Sequence, residues 1–299
     1  MSNRAESVLV GLIGEGVMPS LTPPMHEREA DVQGLRLLYR PIDLLELALP
    51  ATAVGDLLTA AQRMGFNGLN ITHPCKQLVL KHLDEISDDA ARLGAVNTVL
   101  IRDGRFIGHN TDFSGFGSAL ADGLPDAKLN RVVQLGAGGA GSAVAYALLK
   151  AGVKELDLVD MDPDRAAERA AELGALFPEA TVTPRTPTEL GRIMPLADGL
   201  VHCTPIGMAA HPGLPLDIEL LEPRHWVADI VYRPIETQLV RQARAKGCDV
   251  LDGGRMAVGQ AADAFQLITG READRERMRA HFLELIAAEE APTLAKAGH

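Results

Sequence analysis

Apolar positions in this chain come in short runs closed by glycine, hydroxyl or amide residues, and the runs define the elements. Residues 8–13 are an apolar run ended by Gly14 and Gly16, the pattern of a buried strand. The turn Pro19-Ser-Leu-Thr-Pro-Pro-Met-His26 opens a helix through Glu29 and Ala30, and residues 37–41 give a second strand. Residues 45–64 carry helical spacing (Leu45, Leu49, Val54, Leu57, Leu58, Ala61), interrupted near Pro50. Residues 66–71 form a short strand approach. Behind it, Thr72 or His73 can cap a helix whose first turn takes Pro74, where a missing N–H costs nothing. Residues 84–93 predict a polar helix and 94–99 a strand. Arg102-Asp-Gly-Arg105 is a hairpin turn, 106–108 the returning strand, and Asn110-Thr-Asp112 caps a helix from about Phe113.

After Pro125 the texture becomes βαβ. A strand at 132–135 meets a glycine-rich turn, a helix covers 142–151, and a strand at 156–159 ends at Asp160. Further strands fall at 199–202, 226–231 and 249–251, with helices between. Two more helices, 256–268 and 275–287, have no strand nearby to pair with and are expected to cross back to the first lobe. Residues 289–299 read as a frayed tail. The fold class is α/β in two lobes.

Composition narrows the function. The 299 residues allow one large domain or two of ordinary size, a 46% hydrophobic fraction supports substantial cores, and the small residues suit helices packed on a parallel sheet. A net charge of −11 argues against nucleic acid or anionic membrane as partner. No run approaches the ~20 apolar residues of a membrane span. Cys75, Cys203 and Cys248 form no CxxC pair, which predicts reduced thiols in a cytoplasmic protein. The histidines are scattered without ligand spacing, so no metal site is expected.

The chemistry concentrates in two places. Gly136-Ala137-Gly138-Gly139-Ala140-Gly141 between strand and helix is a dinucleotide fingerprint: one glycine for the turn, one for pyrophosphate approach, one for helix packing. Asp160 closes the next strand about 20 residues on, where a carboxylate accepts from ribose hydroxyls and repels a 2′-phosphate. This predicts NAD over NADP. Asp162 adds a second acid, while Arg165 could hold a 2′-phosphate or stack on adenine. In the first lobe Ser20, Thr22, Asn70, Thr72, Lys76, Asn97 and Asp112 lie where strands stop or helices begin, around the crevice of an open sheet. Hydroxyls and amides without an arginine fork suit a small polyhydroxylated ligand. Thr72 and Thr111 would serve equally as caps, and Asn97 as a turn former. Lys76, about three residues inside a helix start, is a poor structural lysine; the helix dipole should lower its pKa and favour proton exchange.

Gly11-Leu-Ile-Gly14, Ser20-Leu-Thr-Pro-x-Met-His26, Gly68-Leu-Asn-Ile-Thr-x-Pro-x-Lys76, Gly94-Ala-Val-Asn-Thr98, Gly108-x-Asn-Thr-Asp112, Gly136-Ala-Gly-Gly139 and Gly253-x-x-Met256…Gln260 occur in this order. Together they resemble the shikimate dehydrogenase family. The resemblance implies a substrate-binding domain (1–112 plus 255–288) and a Rossmann domain (113–254). It implies oxidation of the ring C3 hydroxyl of shikimate-type acids, with Lys76 and Asp112 as catalytic pair. Ser20, Thr22 and Tyr232 would hold the substrate carboxylate; Asn97, Asp112, Thr72 and Gln260 the ring hydroxyls. The cofactor would contact residues 136–141, Asp160, Arg165, Thr204, Pro205, Met208, Val231 and Gly253.

Three departures modify this. Thr22 replaces a serine, Asp160-Met-Asp162 replaces an Asn-Arg-Thr stretch that grips the NADP phosphate, and His202-Cys-Thr204-Pro-Ile-Gly-Met208 replaces Asn-Thr-x-x-x-Gly-Met. The first two are similar to the NAD-dependent quinate/shikimate dehydrogenases. The expectation is an NAD-dependent enzyme acting on quinate and shikimate, as monomer or homodimer, with no macromolecular ligand. The alternatives are a biosynthetic NADP-dependent enzyme and a quinate sensor without turnover.

Overall fold

The computed structural model describes residues 7–290. In chain order the first lobe contains β1 (Ser7–Gly14), α1 (Thr22–Val32), β2 (Arg36–Asp43), α2 (Val54–Met64), β3 (Gly68–Ile71), α3 (Cys75–Leu78), β4 (Glu85–Ile86), α4 (Asp88–Leu93), β5 (Thr98–Arg102) and β6 (Arg105–His109). α5 (Asp112–Gly123) leads into β7 (Arg131–Leu135), α6 (Gly139–Lys150), β8 (Glu155–Val159), α7 (Pro163–Leu176), β9 (Thr181–Arg185), α8 (Leu190–Ile193), β10 (Gly199–His202), β11 (Trp226–Asp229), α9 (Gln238–Ala245) and β12 (Asp249–Leu251). The chain closes with α10 (Gly253–Thr269) and α11 (Arg275–Glu290).

The first sheet runs β2-β1-β3-β5-β6-β4, parallel from β2 to β3 and antiparallel from β3 to β6. The second runs β12-β11-β10-β7-β8-β9 and is parallel throughout. Its order reverses beside β7, leaving a crevice at the carboxyl ends of β7 and β10. The expected two-lobed α/β fold is the one found.

The terminal helices do return to the first sheet. Val258, Ala261, Phe265 and Ile268 of α10, with Met278, Phe282 and Ile286 of α11, share a core with Val10, Leu12, Met25 and Tyr39. Burying Phe265 completely contributes roughly 1.5–3 kcal/mol to this docking. Arg277 adds a fork onto Glu29, Nε donating to Oε2 at 2.8 Å and a terminal nitrogen to Oε1 at 2.6 Å. α5 and α10 cross at backbone contact: a Cβ on Gly115 would lie 2.3 Å from the Gln260 nitrogen, and one on Gly259 2.5 Å from the Gly115 carbonyl oxygen.

Several expectations are corrected. Residues 45–50 are not helical, because the Asp43 carboxylate gathers the N–H groups of Gly16, Met18 and Leu45 and holds a turn there. Leu45, Leu47 and Leu49 are exposed, and the helix starts at Val54. Residues 84–93 split into β4 and a short α4, and the strand expected from 94 begins at Thr98, after Gly94 ends α4 with a φ of 60°. β11 stops at Asp229 rather than 231. β9 was not anticipated. The expected tail begins inside α11, and residues 291–299 lie outside the described part.

Candidate active site

A cavity of about 360 Å³ opens between the carboxyl ends of the two sheets. From the first lobe it is lined by Ser20, Thr22, Thr72, Lys76, Asn97 and Asp112; Ala140 and Tyr232 come from the second lobe, and Gly253 and Gln260 from α10. Lys76 reaches it because β3 ends at Ile71 and the chain turns sharply, through a cis His73–Pro74 peptide, into α3. Neither Thr72 nor His73 caps that helix: Pro74 occupies the cap position, with no side-chain cap bond. α3 is a single turn, so little helix dipole is available. The charge that governs the surroundings of Lys76 is instead a carboxylate, since its Nζ donates to Asp112 Oδ2 at 2.7 Å.

Asp112 is fixed from two directions. Its other oxygen accepts from Asn97 Nδ2 at 2.9 Å, and its own N–H is held by Asn110 Oδ1 at 3.0 Å. Asn110, just before the cap residue Thr111, also accepts from Phe113 N, and Asp112 stands in the first turn of α5, where a negative charge is favoured. Asn97 is in turn locked by Thr111, whose N–H donates to Asn97 Oδ1 at 2.7 Å. The Lys76 and Asp112 side chains are 27% and 14% exposed, open enough for a ligand to reach both.

Beneath the pair lies a floor that sequence reasoning missed in part. Tyr39 donates to Asn70 Oδ1 at 2.6 Å, and Asn70 Nδ2 donates to Thr98 Oγ1 at 2.9 Å. Burial pushes the Tyr39 phenol well up, so it stays a neutral donor. Burial also raises the Cys75 thiol, with a smaller push from Glu15, and disfavours its thiolate. The idea of a site without arginine is overturned: Arg233 lines the cavity and donates to the Pro19 carbonyl at 2.7 Å and to Glu289 at 2.6 Å. Its position next to Tyr232 was the available signal.

On the second sheet the glycine-rich turn fits a dinucleotide. A Cβ on Gly136 or Gly141 would strike backbone at 2.7 Å or 2.2 Å, whereas Gly138 and Gly139 face open space at the start of α6. Gln134, also missed, braces the turn by donating to the carbonyls of Gly136 and Gly141, each at 2.8 Å. Asp160 accepts from Ala137 N at 2.7 Å and Asp162 N at 3.0 Å, and Arg165 donates to both its oxygens. Burial pushes its pKa up, but Arg165 and the two N–H groups outweigh that and hold it below the usual carboxylate range. Among the described residues no His/Cys/Asp/Glu group could hold a metal, and no helix is long and apolar enough to cross a membrane.

Comparison with known proteins decides the family. Residues 12–99 match the shikimate dehydrogenase substrate binding domain, and residues 254–281 the shikimate 5'-dehydrogenase C-terminal domain. A protein of Arthrobacter sp. (strain FB24) named shikimate dehydrogenase (NADP(+)) is 80% identical over 290 residues, covering 97% of this chain and 99% of its own. The chain belongs to the shikimate dehydrogenase family. A Corynebacterium efficiens relative named quinate/shikimate dehydrogenase (NAD(+)) is 53% identical, over 94% of this chain and 99% of its own. The solved quinate dehydrogenase from Corynebacterium glutamicum in complex with NAD superposes with a TM-score of 0.90 at 50% identity, covering 93% of this chain and 99% of that one.

Within that family frame, the expected substrate and catalytic residues all reach one cavity. The expected cofactor residues do not. Only Ala140 and Gly253 line it. Asp160 and Arg165 sit at the end of β8, Thr204 and the exposed Pro205 just past β10, and Met208 lines a neighbouring cleft with Arg233 and Glu289. Val231 is buried, with its N–H on Asp229 Oδ1 at 3.0 Å.

Proposed function

We propose that the chain catalyses reversible oxidation of the C3 hydroxyl of shikimate and quinate, with NAD as the hydride acceptor. The observation that carries this is the Lys76–Asp112 contact of 2.7 Å facing a cavity walled by hydroxyls and amides. In the reductive direction the Lys76 ammonium delivers a proton to the oxygen on C3. In the oxidative direction the same nitrogen, as the amine, removes it, while Asp112 holds that nitrogen in place. Ser20, Thr22 and Tyr232 receive the carboxylate; Thr72, Asn97 and Gln260 take ring hydroxyls. With its pyrophosphate held along residues 136–141, the dinucleotide would supply the nicotinamide carbon that accepts hydride. The division into a substrate domain (1–112 plus 255–288) and a cofactor domain (113–254) belongs to this reading. So does a cytoplasmic location, supported by three unpaired cysteines.

NAD is favoured because a 2′-phosphate at the end of β8 would meet the Asp160 and Asp162 carboxylates, and Arg165 is already engaged by both. A second reading, NADP, draws on the half-exposed Arg165 guanidinium and on the name of the 80%-identical relative. Initial rates with quinate and shikimate, each against NAD and NADP, test both. Turnover of both acids with a higher kcat/KM for NAD is expected. A higher kcat/KM for NADP would overturn the cofactor assignment, and no turnover at all would leave a sensor.

A further inference from the structure

One buried polar chain is used neither by the proton pair nor by the glycine-rich turn. His202 and Asp229 are paired residues at the last positions of β10 and β11, and both are buried. The Asp229 carboxylate accepts from Thr237 Oγ1 at 2.7 Å and from Val231 N at 3.0 Å, and His202 Nδ1 lies 2.9 Å away. A carboxylate so placed accepts only, so Nδ1 carries a proton and the ring turns Nε2 outward. Nε2 lies 2.5 Å from Thr204 Oγ1, which also accepts from Ile206 N at 3.3 Å. In that tautomer Nε2 accepts a hydrogen bond from the Thr204 hydroxyl, and the hydroxyl presents a lone pair rather than a donor to its surroundings.

The position of Thr204 says what that lone pair meets. Its methyl would lie 3.1 Å from a Cβ on Gly136, so its loop borders the glycine-rich turn. Asp160 stands at the end of β8, on one side of β7; Thr204 follows β10, on the other. A dinucleotide laid across the β7 crevice with its adenosine towards Asp160 directs its nicotinamide half towards β10. That is also the side on which Ile230, Tyr232 and Gly253 join Lys76 in the cavity.

We propose that His202, anchored by Asp229, is a positioning residue that fixes Thr204 as hydrogen-bond acceptor for the carboxamide N–H of the nicotinamide half. This rests on the reading that the chain binds a nicotinamide dinucleotide. The test compares wild type, His202→Asn and Thr204→Val with three probes: the preferred cofactor, its acetylpyridine analogue, in which a methyl replaces the carboxamide nitrogen, and ADP-ribose, which lacks the ring. Wild type should favour the cofactor over the acetylpyridine analogue in KM by roughly tenfold, the size of one lost hydrogen bond. Both variants should erase that preference while binding ADP-ribose as wild type does. Thr204→Val keeps the side-chain shape, so the test stands even where His202→Asn fails to fold. Equal weakening of cofactor and ADP-ribose, or an undiminished preference in Thr204→Val, would overturn the proposal. A wild type that binds neither cofactor nor ADP-ribose would instead bring down the dinucleotide reading beneath it.

Discussion

Asp112→Asn isolates the proton pair with almost no change of shape. Both neighbours of the carboxylate are donors: Lys76 Nζ at 2.7 Å on one oxygen and Asn97 Nδ2 at 2.9 Å on the other. An amide offers one acceptor and one donor, so whichever way it turns, an N–H₂ group faces a donor. One bond is lost and one contact becomes repulsive. Because the Lys76 side chain is 27% exposed, its ammonium can turn to water, which limits the stability cost to about 1 kcal/mol. Turnover should fall much further. Loss of a positioned acid–base group costs roughly 10²–10⁴-fold, and a Lys76 that is present but no longer held belongs near the lower end of that range. The assay is nicotinamide absorbance at saturating substrate for Asp112→Asn, Lys76→Met and the double variant, with thermal melts alongside. Residues that act as a unit are non-additive, so the double variant should fall no further than Lys76→Met alone. Near-normal turnover in Asp112→Asn, or losses that multiply in the double variant, would refute the pair.

Asp160→Ala should raise the NADP-to-NAD ratio of kcat/KM by roughly tenfold, by removing a charge that repels a 2′-phosphate; it should also lower Tm, since Ala137 N loses its acceptor, and an unchanged ratio would show that Asp160 does not set cofactor choice. Gly115→Ala forces a methyl against the Gln260 nitrogen and should cost about 1–3 kcal/mol, read as a lower Tm with a raised substrate KM; wild-type values for both would refute the close crossing. His26 is fully buried against Tyr39 and Phe265, and burial pulls its pKa down to about 3, against a small opposing pull from the Ala261 backbone. The unfolded chain therefore takes up this proton first: the contribution is complete above about pH 6.5 and shrinks by roughly 1.4 kcal/mol per pH unit as pH falls towards 3. His26→Phe should flatten that acid limb in denaturant midpoints, and an unaltered slope would show that His26 takes up its proton alike in the folded and unfolded chain.

What was legible in the sequence is what local rules specify. Strand, glycine turn and helix follow one another at 131–150 because each glycine answers a steric demand within a few residues. The meeting of Lys76 with Asp112 was legible only through the resemblance, for no periodicity joins a residue after β3 to one after β6. The misses come from tertiary partners. Leu45 and Leu49 carry helical spacing, yet Asp43 offers their segment a better arrangement. β9 contains Pro184 and lies at a sheet edge, where proline is tolerated and where strand patterning is weakest. Arg233 gave no sign beyond adjacency, since its partners are 214 and 56 residues away along the chain.

The placement of Asp112 shows which part of the site is preformed. Its helix, α5, packs along α6 and α10, yet its first turn is tied by Asn97 and Asn110 to the first sheet. These bonds therefore anchor the Lys76–Asp112 contact to the first lobe. Ala140 at the start of α6, with Ile230 and Tyr232 just past β11, reaches the cavity from the second lobe instead. Gln260 is the exception. It sits on α10, which shares the first lobe's core through Phe265 and meets α5 at the Gly115–Gly259 crossing. The close crossing thus keeps Gln260, the proposed ring-hydroxyl contact, beside the same helix that carries Asp112, and only a residue without a side chain at position 115 lets the two helices approach that far.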